Sequence, residues 1–254
     1  MCRLALFNKK GVLLVEKRHG LSKFLTELEE SMGGHGNGIA MLKGNNVQIK
    51  KGVNLNVKSI ARTLLRAEYD WVIFHTRRAS AGNISDQNCH PFKEGKLVLA
   101  MNGTETWVTP LREREMTDTE AIAKVVARGF DIINTLMGCH SVFVGFYNGI
   151  PFVVKPTEFG DLEIYSEGDA VIYASEIPET IGTRYTFTGF HWLYNGILPT
   201  SIKEVRKTLP IYYSYGKSFY TAPNYDYDDY NYNNRHIGGM LMNNSKKRNK
   251  KYYL

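Results

Sequence analysis

The sequence predicts an α+β fold in which antiparallel strands are covered by amphipathic helices. Two patterns carry that expectation. Apolar runs of strand length recur along the chain, among them Trp71-Val72-Ile73-Phe74 and Leu97-Val98-Leu99-Ala100-Met101, and their continuity points to strands covered on both faces. Between such runs stand segments whose apolar residues fall three and four apart, the helical spacing. A chain of 254 residues with 43% hydrophobic content can bury one substantial core, which suits a single main domain.

In chain order, Cys2-Arg3-Leu4-Ala5-Leu6-Phe7 and Gly11-Val12-Leu13-Leu14-Val15 read as two β-type runs joined by Asn8-Lys9-Lys10, a hairpin at the start of the chain. Leu21 to Met32 places Leu21, Phe24, Leu25 and Leu28 on one helical face and stops at Gly33-Gly34. The glycine-dense segment Gly33-Gly34-His35-Gly36-Asn37-Gly38-Ile39-Ala40 leads into a strand pair turning at Gly44-Asn45-Asn46. Val57 to Glu68 is helical, with Ile60, Leu64 and Leu65 on one side. Thr117-Asp118-Thr119-Glu120 is a capping box opening a helix that carries Ile122, Val125, Val126, Phe130 and Ile133. From Ser141 the period shortens, and Val142 to Phe146, Phe152 to Val154, Leu162 to Tyr165 and Ala170 to Ala174 form successive antiparallel strands. Ile177 to Pro210 is long enough to complete the layers.

The expected boundaries are a domain over residues 1–210 and an extension over 211–254. Ten of the sixteen tyrosines fall between Tyr212 and Tyr253, mixed with Asn, Asp and Gly, a low-complexity composition. From Ile211 onward the chain carries +4 of its +7 formal charge, so the body is close to balanced. Aromatics interleaved with cations can stack on single-stranded nucleic acid. Here the aromatic stretch is acidic and lies apart from Lys246-Lys247-Arg248-Asn249-Lys250-Lys251, which favours a solvated extension or a protein-docking tail. No run of about 18 apolar residues is present, so no membrane partner is expected. Cys2, Cys89 and Cys139 form neither a disulfide framework nor a zinc spacing, and a reducing cytoplasm suits them.

Cys2 is the first candidate for chemistry. Removal of Met1, expected when the second residue is small, would give one residue both a thiol and a free α-amine. An α-amine has an ordinary pKa of about 7.7 to 8, so near neutrality part of it is unprotonated and can serve as base for its own side chain. A thiolate so formed can attack a carbonyl and pass through a thioester.

Further blocks follow in order: His75-Thr76-Arg77-Arg78-Ala79-Ser80-Ala81-Gly82, Cys89-His90-Pro91-Phe92, Met101-Asn102-Gly103-Thr104-Glu105, Thr117-Asp118-Thr119-Glu120-Ala121 and Tyr173-Ala174-Ser175-Glu176. Together with Cys2 they resemble the type-2 glutamine amidotransferases, over about two thirds of the chain. The resemblance implies the four-layer αββα sandwich of the N-terminal-nucleophile (Ntn) hydrolases, two antiparallel sheets between helices. It further implies Cys2 as nucleophile, with the Asn102 side chain and the Gly103 backbone N–H as oxyanion donors. Arg77 would hold the glutamine carboxylate and Asp118 its ammonium, with His90 lining the pocket and Ser80 adding a polar contact. Such a site suits glutamine, whose two charged ends need a cation and an anion and whose amide needs an oxyanion hole. It calls for no cofactor and no metal.

Two positions depart from the family pattern. Met101 stands where many members have histidine before the Asn-Gly pair, and Ala81 where some place histidine. The 44 residues after 210 are expected to be too few for an acceptor domain of the size fused to biosynthetic members. Ammonia would then pass to a separate synthase, with a stand-alone γ-glutamyl amide hydrolase or a silent scaffold as the alternatives.

Overall fold

A computed structural model describes residues 2–113, 115–194 and 203–204, all within the first of two units of the chain, Met1–Arg206. The Tyr/Asn-rich 211–254 segment lies outside the described residues.

The elements run β1 (Arg3–Asn8), α1 (Lys9–Arg18), α2 (Leu21–Met32), β2 (Asn37–Lys43), β3 (Asn46–Gly52), α3 (Val57–Arg66), β4 (Trp71–Thr76), β5 (Phe92–Glu94) and β6 (Leu97–Asn102). After a 3-10 turn at Thr109–Leu111 come α4 (Asp118–Ala127), α5 (Ile132–Met137), β7 (Val142–Tyr147), β8 (Ile150–Lys155), β9 (Glu163–Glu167) and β10 (Ala170–Ala174). The last are β11 (Tyr185–Thr186), β12 (Gly189–Trp192) and β13 (Lys203–Glu204). Eight strands form one antiparallel sheet in the order β13-β11-β9-β10-β1-β4-β2-β3, and five form another in the order β12-β8-β7-β6-β5.

Side-chain alternation divides the interior into three apolar layers. On β1, Leu4 and Leu6 face the five-stranded sheet, where Val98, Ala100, Val144 and Val153 meet them. Ala5 and Phe7 point the other way, into a layer shared with Phe24 and Leu28 of α2 and Ile60 and Leu64 of α3. Beyond the five-stranded sheet, Leu99 and Phe143 pack under Ile122 and Val126 of α4 and Leu136 of α5. Helices, sheet, sheet and helices therefore stack as the four-layer αββα sandwich, and the apolar runs are continuous because those strands are covered on both faces.

The predicted hairpin at the start of the chain is instead a strand followed by a helix. Asn8, read as a turn residue, is the N-cap of α1, and its Oδ1 accepts from Gly11 N at 2.7 Å. In the run after it Val12 and Val15 are buried while Leu13 is 48% exposed, a spacing of three that fits a helix rather than a strand. The long helix predicted through Ile133 is also two. Gly129 at φ 102° follows the C-cap of α4, Asp131 caps α5 anew by accepting from Asn134 N at 2.7 Å, and Phe130 and Ile133 are left exposed. The successive strands are antiparallel as expected and are divided between the two sheets. β7 and β8 belong to the smaller and β9 and β10 to the larger, so the chain changes layer between Lys155 and Glu163.

Candidate active site

The site lies where the two sheets meet at the start of β1. Cys2 is buried just ahead of that strand, and its backbone nitrogen donates to Asn102 Oδ1 at 3.0 Å, across to the last residue of β6 in the other sheet. Its sulfur is seated on the backbone of Arg78: Arg78 N donates to Sγ at 3.3 Å, and the thiol reaches Arg78 O at 3.5 Å. Burial raises the Cys2 thiol above its ordinary pKa; the Arg78 N–H and the Arg77 charge pull it back down, and Asp118 pushes it up. The resting group is therefore a thiol that needs a base, not a standing thiolate.

Asn102 is itself fixed by two partners. With Oδ1 committed to the Cys2 nitrogen, Nδ2 points the other way, at 3.5 Å from Ser175 Oγ. Ser175 also accepts from Leu4 N at 3.1 Å and donates its own N–H to Leu4 O at 2.9 Å, prolonging the pairing of β10 with β1. Gly103 follows at φ 143°, and a Cβ there would stand 2.2 Å from Ser141 Oγ. Only glycine fits that turn.

Arg77 leaves the end of β4 buried, its side chain turned onto the loop ahead of it. Nη1 donates to Asn83 O at 2.8 Å, and Nη2 to Ala81 O at 2.7 Å and Gly82 O at 3.3 Å. Among the described residues the other two guanidinium N–H groups take no acceptor. Asp118, buried at the first turn of α4, accepts from Glu105 N at 2.9 Å through Oδ2 and from Thr119 N at 3.0 Å through Oδ1. Burial raises its carboxyl above the ordinary value, against the pull of those two backbone bonds. Glu105 in turn accepts from His140 N at 2.8 Å and Ser141 N at 2.7 Å, so the loop carrying Gly103 is tied to the start of β7.

His90 lines the cleft and stacks on His75 with centroids 4.0 Å apart. His75 Nε2 donates to Met101 O at 3.1 Å, and Met101 N donates to His90 Nδ1 at 3.4 Å. Burial holds both rings neutral, lowering His75 to about 3 and His90 well below its ordinary value. Ser80 Oγ shares a hydrogen bond with Thr104 Oγ1 at 2.9 Å.

Six of the seven residues singled out in the sequence, Cys2, Arg77, Ser80, His90, Gly103 and Asp118, thus line one cleft, and the seventh, Asn102, holds the nitrogen of Cys2. The cleft encloses only about 10 Å³, room for about one water. A larger cavity of about 550 Å³, lined in part by Lys51, Asn88, Phe92 and Glu120, contains no cysteine.

Neither the protein-family models nor the curated proteins contain a match to this chain. Solved structures do. The glutamine phosphoribosylpyrophosphate (PRPP) amidotransferase from B. subtilis, complexed with ADP and GMP, superposes with a TM-score of 0.51 at 18% identity, over 76% of this chain and 48% of its own. A structure described as the allosteric regulatory enzyme of purine biosynthesis superposes with a TM-score of 0.54 at 20% identity, over the same 76% and 48%. The chain has the fold of the Ntn amidotransferases. It spans about half the length of each of these two proteins.

Within the Ntn fold, three contributors to the site escape sequence reading. The Arg78 backbone carries no side-chain signature, and only the coordinates reveal it as the seat of the sulfur. Ser175 lies in a block that the resemblance includes, yet its bonds to Leu4 and Asn102 depend on strand register. His75 opens the His-Thr-Arg block, and its ring spans the gap between the sheets. All three cysteines are free thiols. Among the described residues no helix is long and apolar enough to cross a membrane.

Proposed function

We propose that this chain hydrolyses the side-chain amide of glutamine through a Cys2 thioester. The observation that carries the reading is the placement of Cys2, its nitrogen 3.0 Å from Asn102 Oδ1 and its sulfur in a cleft shared with Arg77 and Asp118. After loss of Met1, the amine takes the thiol proton as sulfur attacks the amide carbon of glutamine. The oxygen that becomes negative is met by the Gly103 N–H and by the second N–H of Asn102 Nδ2, the first being directed at Ser175 Oγ. The tetrahedral species collapses, the ammonium returns its proton to the departing nitrogen, and ammonia leaves. Water then attacks the thioester, giving glutamate and restoring the thiol.

Arg77 and Asp118 supply the cation and anion that an amino acid's two ends require. Each already holds backbone groups of a loop, and the cleft as it stands admits about one water. Substrate entry therefore requires the segment 79–83 to move, with the two uncommitted N–H groups of Arg77 receiving the carboxylate. The ammonia passes to a separate synthase, and a cytoplasmic setting keeps the thiol reduced.

Incubation with a diazo-ketone analogue of glutamine, followed by intact mass and peptide mapping, tests the reading. Covalent label on Cys2, suppressed by glutamine, is expected, and the Cys2→Ala variant should stay folded yet release no glutamate. Glutamate release that persists in Cys2→Ala at the unchanged rate refutes the assignment.

A further inference from the structure

Arg3 is a buried cation at the head of β1, between the proposed nucleophile and the apolar run Leu4-Ala5-Leu6-Phe7. Its guanidinium is enclosed by named acceptors. Nε donates to Ser31 Oγ at 2.8 Å, Nη1 to Asp161 Oδ2 at 3.1 Å, and Nη2 pairs with Glu176 Oε1 at 2.6 Å. Nη1 also reaches back to the carbonyl oxygen of Cys2 at 3.4 Å. Both carboxylates are about half exposed, whereas the Arg3 side chain is 9% exposed. Burying a cation is costly unless its donors are satisfied, and the planar fork satisfies four acceptors at once.

Cys2 is thereby gripped at both ends of its own backbone. Its nitrogen is held by Asn102 from one sheet and its carbonyl by Arg3, so the direction in which nitrogen and sulfur project is fixed before substrate arrives. We propose that Arg3 is a positioning residue for Cys2: it orients the nucleophile through the Cys2 carbonyl and offsets the negative charge of Asp161 and Glu176, which it holds at the residue next to Cys2. The inference rests on the glutaminase reading above.

The polar and charged groups around Cys2 and its Arg3 neighbour come from several elements. Asn102 ends β6, Arg77 and Arg78 follow β4, Asp118 opens α4, Asp161 precedes β9, Glu176 follows β10, and Arg3 lies on β1 itself. Replacing Arg3 by a neutral residue leaves two uncompensated carboxylates, which favour the protonated amine. Replacing Glu176 removes one of them and acts in the opposite direction.

The test compares Arg3→Gln, Arg3→Lys and Glu176→Gln with the unmodified chain by two readouts. One is the pH profile of kcat/KM for glutamine hydrolysis; the other is the titration of the Cys2 13Cα resonance, which follows the amine without needing turnover. In Arg3→Gln the acidic limb and the titration should both move up by roughly half a unit to one unit, and kcat should fall about tenfold or more with little change in KM. Glu176→Gln should move both downward. Arg3→Lys should restore the limb but not the full kcat, because an ammonium cannot reproduce the fork. Loss of activity in all three with unmoved titrations is what a merely structural role produces, and it overturns the proposal. Should Arg3→Gln fail to fold, Glu176→Gln decides alone, since its carboxylate is half exposed: a downward shift supports the clamp and an unmoved titration removes it. An unmodified chain that has lost Met1 yet leaves glutamine intact sinks the glutaminase reading while the 13Cα titration still judges the clamp. Retention of Met1 sinks both.

Discussion

Replacing Gly103 by alanine should damage stability and catalysis together. A Cβ at this position would stand 2.2 Å from Ser141 Oγ, 2.6 Å from Ser141 Cβ and 3.0 Å from Ser141 Cα. Ordinary non-bonded contacts are about 3.5 to 4.0 Å, so Ser141 would have to retreat by roughly 1 Å or more. It is poorly placed to do so, because its N–H is held by Glu105 Oε1 at 2.7 Å and β7 starts at the next residue. The backbone at φ 143° adds strain for any side chain. Strain of about 1 to 3 kcal/mol and overpacking of about 1 to 3 kcal/mol give an expected loss of about 2 to 6 kcal/mol, a large share of a domain's usual stability. Equilibrium urea unfolding measures it. In whatever fraction folds, glutamate release should drop about 100 to 1,000-fold as the Gly103 N–H leaves the oxyanion position. Adding Ser141→Gly should recover most of the overpacking part of the stability, all but the 3.0 Å approach to the Cα of residue 141, and leave the strain. A Gly103→Ala chain within about 0.5 kcal/mol of the parent, still releasing glutamate at the parental rate, would refute the reasoning.

Arg77→Lys keeps the charge but loses the fork that reaches the carbonyls of Ala81, Gly82 and Asn83; urea unfolding should show a loss of about 2 to 3 kcal/mol, and KM for glutamine should rise about tenfold or more. Thr117→Ala removes the acceptor of Glu120 N at 3.1 Å, so thermal unfolding should report about 1 kcal/mol less stability, with KM rising as the neighbouring Asp118 loosens. Stability should also fall as pH drops below about 6.5. His75 is lowered to about 3 in the folded chain, so between there and the ordinary histidine value the unfolded chain binds more protons, and the contribution present above 6.5 is lost progressively on acidification. The slope should approach about 1.4 kcal/mol per pH unit from His75, His90 should add to it, and His75→Gln should flatten it in urea titrations at pH 7 and pH 5.

Much of the fold was legible because its helices and strands carry regular periods. Leu21 to Met32 coincides with α2, and the continuous runs at Trp71 and Leu97 are strands covered on both faces, as continuity implies. Where reading failed, a local signal competed with one from elsewhere in the chain. Asn8-Lys9-Lys10 has turn composition, but Asn8 uses the same side chain to cap α1 and to accept from Val171 N at 3.1 Å, a bond set by β10 far along the sequence. The assignment of strands to two sheets depends on the crossing after Lys155, to which no residue type is specific. At the site, side chains with distinctive chemistry were visible and backbone groups were not. The Arg78 amide that seats the sulfur would be the same in any residue but proline. Nor does a sequence disclose that Arg77 is bound to three carbonyls of its own loop, because that depends on how the segment 79–83 folds back.

In the larger sheet β1 has β10 and β4 on either side and further strands beyond both. Amides within such a strand exchange with solvent only through openings that disrupt much of the sheet, whereas a two-residue rim strand such as β13 frays at little cost. Breathing of the periphery therefore leaves β1, with Cys2 at its head, undisturbed. Heat or denaturant should accordingly leave β1 paired until nearly the point at which the domain melts as a whole.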